Sequence, residues 1–184
     1  MTHPQAFKFC PHCGAPGIVA QPNRSLHCPA CGFVLFLNIA TAVGALIADE
    51  QGRLLLVRRN NDPAQGKLGI PGGFVDAGES AEQGLAREVR EETGLLLAAS
   101  QYFCSFPNHY HYKEVTYLTA DLFFICHVTS FASLHAGDET QSTCFLAPEQ
   151  IDPEEIAFPT LRRALEVYRE HNSPKHGNSQ MFQP

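Results

Sequence analysis

The chain has 184 residues, enough for one sizeable core and a small appendage. Hydrophobic residues make up 44% and both charge signs are interspersed, which excludes a disordered chain. The net charge of −6 argues against non-specific binding to nucleic acid, which relies on Lys and Arg, so an anionic phosphate substrate would need metal ions as the bridge.

The opening MTHPQAFKFC has no apolar leader stretch, and the run from Phe33 to Ala48 is broken by Asn38, Thr41 and Gly44. A cytoplasmic protein without a membrane partner is expected. Four of the seven cysteines form two knuckles, Cys10-Pro-His-Cys13-Gly and Cys28-Pro-Ala-Cys31-Gly, fourteen residues apart. Each CxxC turn presents two thiolates to one tetrahedral site, so residues 1–36 read as a zinc ribbon with structural Zn²⁺ on Cys10, Cys13, Cys28 and Cys31. The segment has few large apolar side chains and would draw folding free energy from the metal. Its role is open between a stabilising clip and a nucleic-acid surface, for which Lys8 and Arg24 make a poor phosphate contact.

Thr41–Ala48 and Arg53–Arg59 flank the turn 49–52 and predict a hairpin. Arg58 and Arg59 end its second strand, either as solvated charges or as contacts to a phosphate. Next comes GFVDAGESAEQGLAREVREETGL, residues 73–95. Ser80 with Gln83 predicts a capping box and Gly94 a stop, with Ala81, Leu85 and Val89 on the anchoring stripe. Glu88, Glu91 and Glu92 share a neighbouring face. Such like charges repel within a helix, and all-oxygen ligands suit Mg²⁺ or Mn²⁺.

Residues 95–106 and 115–128 have strand composition, with a polar, aromatic loop expected over Ser105–Tyr112. Phe106, Tyr110 and Tyr112 are candidates to stack on an adenine or flavin ring, with packing as the alternative. Cys104, Cys126 and Cys144 read as buried, inert thiols. Gly137-Asp138-Glu139 precedes a short strand, Thr143–Leu146. Pro159, Leu161, Ala164, Leu165 and Tyr168 predict a closing helix that ends near His171, followed by a frayed tail over 172–184.

Gly73, five residues, Glu79, seven residues, Arg87-Glu88-Val89, Glu91-Glu92 and Gly94-Leu95 together resemble the Nudix box. With residues 37–171 as a Nudix hydrolase domain, the order of strands, box helix, strands and end helix implies an α/β/α sandwich with a mixed sheet, preceded by the ribbon. The resemblance implies an enzyme that cleaves nucleoside diphosphates linked to another moiety. It places the metal on the Gly73 carbonyl, Glu88, Glu91 and Glu92, and gives Glu79 and Arg87 an orienting role. It assigns metal assistance or water activation to Glu139, with Asp138 second and a plain loop acid as the alternative. It also implies a homodimer.

A ribbon joined to such a domain resembles NADH pyrophosphatases, which carry a downstream SQPWPFPxS array. This chain has only the echo Ser105-Phe106-Pro107 and no Trp. The array SFPNHYHYKEVTYLTADLFF and the end helix AFPTLRRAL are more similar to a second branch that acts on ADP-ribose and FAD, giving AMP and a phosphorylated product. NADH hydrolysis, NAD-cap removal from RNA, and a non-catalytic nucleotide sensor are the alternatives.

Overall fold

The computed structural model describes residues 6–172. Each cysteine knuckle closes on a left-handed glycine, Gly14 and Gly32, both at φ 73°. Their amides bond back to the carbonyls of Cys10 and Cys28 at 2.9 and 3.0 Å, folding each CxxC into a tight turn. Strands β1 (Val19–Ala20), β2 (Ser25–His27) and β3 (Val34–Phe36) form a small antiparallel sheet. Leu26 and Leu37 are buried here, but neither of the two large apolar clusters among the described residues includes anything before Val43.

The larger part contains β4 (Ala40–Ile47), β5 (Leu54–Arg59), β6 (Leu68–Gly69), β7 (Gly72–Phe74), helix α1 (Ala81–Thr93), β8 (Leu97–Tyr112), β9 (Val115–Val128), β10 (Thr140–Leu146) and helix α2 (Pro159–Asn172). One sheet has the order β7-β4-β9-β8, parallel only between β4 and β9, and a second has the order β10-β5-β6. Side chains alternate across β4. Val43, Ala45 and Ile47 join Leu85 and Val89 of α1 in one cluster, while Leu46 joins Leu161, Ala164 and Leu165 of α2 in the other. Helices therefore cover both faces of a mixed sheet, giving an α/β/α sandwich.

The hairpin expected over 41–59 is corrected. Asp49 organises the turn by accepting from the amides of Gln51 and Arg53, yet pairing ends at the single bridge Ala48–Leu54. β9 holds one edge of β4 along its length and β7 holds Ala42–Gly44 of the other, while β5 pairs with β10 and β6 instead.

The loop expected over Ser105–Tyr112 is also corrected, because β8 runs through it and stays paired with β9 as far as Tyr112–Val115. Pro107 is tolerated because β8 is an edge strand. Along this stretch Phe106, Asn108 and Tyr110 are half-buried, while Pro107, His109 and His111 are exposed. Asn172, expected in the tail, ends α2 with its amide on the Tyr168 carbonyl. The rest of that tail lies outside the described residues. Among the described residues no helix is long and apolar enough to cross a membrane.

Candidate active site

Helix α1 is fixed at both ends. Ser80 and Gln83 exchange the two capping-box hydrogen bonds, and Gly94 ends the helix at φ 69°. Leu85 and Val89 are fully buried, which fixes the rotation of the helix and turns its acidic face towards β7.

Two glycines let the strand and helix approach. At Gly72, φ is 153° and a Cβ would fall 2.1 Å from the Val43 carbonyl oxygen. At Gly73 a Cβ would fall 2.6 Å from the carboxyl carbon of Glu88, so a side chain there would push that carboxylate off the strand. One residue back along the chain, the Gly72 amide donates to Glu92 Oε2 at 2.9 Å.

Arg87 ties the remaining acids together. Its Nε and Nη2 form a two-pronged pair with Glu79 at 2.9 Å each, and Nη1 reaches Glu88 at 2.7 Å and Glu91 at 3.2 Å. The guanidinium beside Glu79 holds that carboxyl below its usual range, and the same partners raise Arg87 further. Burial pushes Glu88 up against the opposing pull of Arg87. Glu92 is pushed up to about 7 by burial, with Glu88 adding to the rise and the Gly72 amide and Arg59 partly offsetting it.

Glu88, Glu92 and Gly73 line a cleft of about 300 Å³ that also takes in Arg59, Tyr110 and Glu139. The Glu139 loop is held by the end of α1. His135 and Gly137 donate their amides to the carbonyls of Thr93 and Glu92, at 3.0 and 2.9 Å. A Cβ on Gly137 would fall 2.0 Å from the Glu91 carbonyl oxygen. Arg59 stacks over Phe158 at 5.0 Å and donates to the Pro63 carbonyl.

Other candidates lie outside the lining of this cleft. Glu91 is exposed, and Asp138 only offers its carbonyl to Asn60. Arg58 turns to the Gly66 carbonyl and to Glu155. Phe106 packs on Phe123 with Arg163 above its ring at 4.7 Å, and Tyr112 stacks beside Tyr110 near the turn. The cleft gains Phe74, Asn108, Asp121, Phe158 and Thr160, which motif spacing did not single out. One sequence signal was available for Asp121: it interrupts an apolar strand with the same parity as Phe123.

In the ribbon, the Sγ atoms of Cys10, Cys13, Cys28 and Cys31 all lie within 4.8 Å of one another. The Cys31 amide lowers Cys28 to about 7. The Phe33 amide favours the Cys31 thiolate, but desolvation and the neighbouring thiols outweigh it and push Cys31 up to about 12. Four thiolates cannot share this space without a cation, and an all-sulfur tetrahedral set suits zinc. Among the described residues no comparably tight acidic cluster forms, since Arg87 draws Glu88 and Glu91 to itself. The box still offers hard oxygen donors, two of them partly desolvated, and a divalent cation would relieve that cost.

A profile described as the NUDIX domain matches residues 39–167. The chain belongs to the NUDIX family. Among curated relatives, the NAD-capped RNA hydrolase NudC of Stutzerimonas stutzeri is 37% identical over 98 residues, 53% of this chain and 35% of that protein. The ADP-ribose pyrophosphatase of Methanocaldococcus jannaschii is 44% identical over 62 residues, 34% of this chain and 36% of that protein. The NUDIX chain thus spans about a third of the length of these relatives. A NUDIX hydrolase structure from Nitrosomonas europaea overlays with TM-score 0.71 at 23% identity, covering 94% of each chain. The NUDIX domain of Shewanella oneidensis NrtR, complexed with ADP ribose, overlays with TM-score 0.60 at 24% identity, covering 75% of this chain and 91% of that one.

Proposed function

We propose that this protein hydrolyses the pyrophosphate bond of a nucleoside diphosphate linked to a second moiety, with ADP-ribose and FAD as the leading substrates. The observation that carries this reading is the shared cleft. Desolvated box carboxylates, the Gly73 backbone, one arginine and several aromatic rings line the same space. Phosphate and base could therefore be held together.

Glu88, Glu91, Glu92 and the Gly73 carbonyl would hold Mg²⁺ or Mn²⁺, which when bound supplies charge neutralisation and a more acidic water. Arg87, paired with Glu79, positions Glu88 and Glu91. Arg59 binds a phosphate oxygen while Phe158 fixes its guanidinium plane. Glu139 accepts the proton of the attacking water, and Tyr110 and Phe74 supply ring faces for a base. Water adds to one phosphorus, the bridging P–O bond breaks, and the bridging oxygen leaves on the other phosphate. The ribbon is a structural zinc clip, and a homodimer is the assembly proposed.

The NudC relatives are named for NAD-capped RNA. Low basic content weighs against non-specific phosphate binding, but not against a capped nucleotide held in a cleft, so capped RNA belongs in the test. ADP-ribose, FAD, NADH and NAD-capped RNA should be compared by product release with Mg²⁺ and with Mn²⁺. ADP-ribose and FAD should lead, and preference for NADH or capped RNA would overturn the substrate choice. Glu91→Gln should lower turnover by at least about 100-fold with little change in Tm, since Glu91 is exposed. A fully active variant would remove Glu91 from the metal site.

A further inference from the structure

Across the floor of the cleft the sheet register aligns Phe74 of β7, Ala42 of β4 and Asp121 of β9. Ala40, Ala42 and Gly44 share one side of β4, so the floor between Phe74 and Asp121 is low. Asp121 stands two strands from the β7 segment that meets the box, roughly 9–10 Å at ordinary strand spacing. Asp121 and Asn108 line the same cleft as Gly73 and Glu88, so one nucleotide with its phosphates at the box can present its base to them.

Three neutral donors hold Asp121. Thr119 donates to Oδ1 at 2.6 Å, while Asn108 and Thr160 donate to Oδ2 at 2.8 and 2.7 Å. Thr119 and Thr160 are buried, and among the described residues Asp121 forms no ion pair. A carboxylate has about four acceptor positions, so one remains. Asn108 is fixed in its amide sense because Nδ2 serves Asp121 while Oδ1 accepts the His109 amide at 2.7 Å. One of its two N–H donors remains.

We infer that Asp121 and Asn108 form an adenine-reading pair, with Asp121 accepting from the 6-amino group and Asn108 donating to the adjacent ring nitrogen. The count excludes a carboxylate clasping both hydroxyls of a ribose, which would need two open positions on Asp121. It also sets the base preference. Hypoxanthine and guanine carry a carbonyl at position 6, and this would place an acceptor against a carboxylate with no donor to spare. Phe74 meets Tyr110 edge-on at 5.2 Å, and Tyr110 lies 5.9 Å from Phe158, so ring faces adjoin the polar pair.

This inference rests on the proposed nucleotide chemistry but is tested apart from turnover. Calorimetry of the zinc-loaded chain with AMP and with IMP, both without added Mg²⁺ or Mn²⁺, should show AMP binding at least about tenfold more tightly. Asp121→Asn, which can turn an amide N–H towards a carbonyl, should erase or invert that preference. Equal affinity of the wild-type protein for AMP and IMP, or no binding of either, would overturn the adenine assignment. So would a variant that weakens both nucleotides equally, because that marks Asp121 as structural support. In parallel, ADP-ribose and its hypoxanthine counterpart should be compared as substrates. Failure to cleave either while AMP is still preferred would sink the hydrolase reading and leave the base-reading pair standing.

Discussion

The placement of Glu92 sets a pH dependence for the protein without Mg²⁺. Its folded pKa stands at about 7 because its carboxylate is desolvated with, among the described residues, only the Gly72 amide as a hydrogen-bond partner. From the ordinary carboxylate range up to about 7, the folded state keeps a proton that the unfolded chain releases. Stability must fall as pH rises through that window. Glu88 is shifted in the same direction, whereas Glu79, Glu82 and Asp49 are lowered and act below the window. The Tm of the zinc-loaded protein without Mg²⁺ should therefore decline between about pH 5 and 7, and Glu92→Gln should flatten much of that decline. Added Mg²⁺ should stabilise progressively more over the same interval, because it competes with the proton for the carboxylates. A wild-type Tm that climbs steadily to pH 7 would rule out a costly buried charge at Glu92.

At the scale of elements, α1 and the loop after β9 form one unit. The helix leaves carbonyls at its C-terminal end, and the loop answers with the amides of His135 and Gly137, which places Glu139 at the cleft. Gly137→Ala should break this docking, since the added carbon would meet the Glu91 carbonyl. Turnover should fall by about tenfold or more, while Tm drops by only a few degrees because the displaced segment is at the surface. Unchanged turnover would show that Glu139 need not be held there. This coupling also marks what could be read from the sequence. The box helix was legible down to its caps because Ser80, Gln83 and Gly94 are local signals. The docking of the Glu139 loop was not, because Gly137 is required by a contact with a helix more than forty residues away in sequence. The same limit explains β8: Pro107 and the histidines look like loop residues until β9 supplies a partner and leaves β8 at the edge.

For the whole molecule, the apolar clusters are unevenly placed along the chain. The Nudix part buries two apolar clusters against opposite faces of one sheet, and nothing N-terminal to Val43 joins either among the described residues. The ribbon has short strands, two tight knuckles and four gathered thiols, so its cohesion should come from zinc. Removing zinc with a strong chelator should then unfold one part without the other. Hydrogen exchange should show protection lost across residues 7–37 and retained in β4, β9 and α1. Cys10→Ser should give the same pattern without chelator, because it removes one thiolate of the tetrahedral set. A chelator that also strips protection from β4 would mean that the ribbon props up the sheet beside it, and the clip would then be a foundation of the cleft.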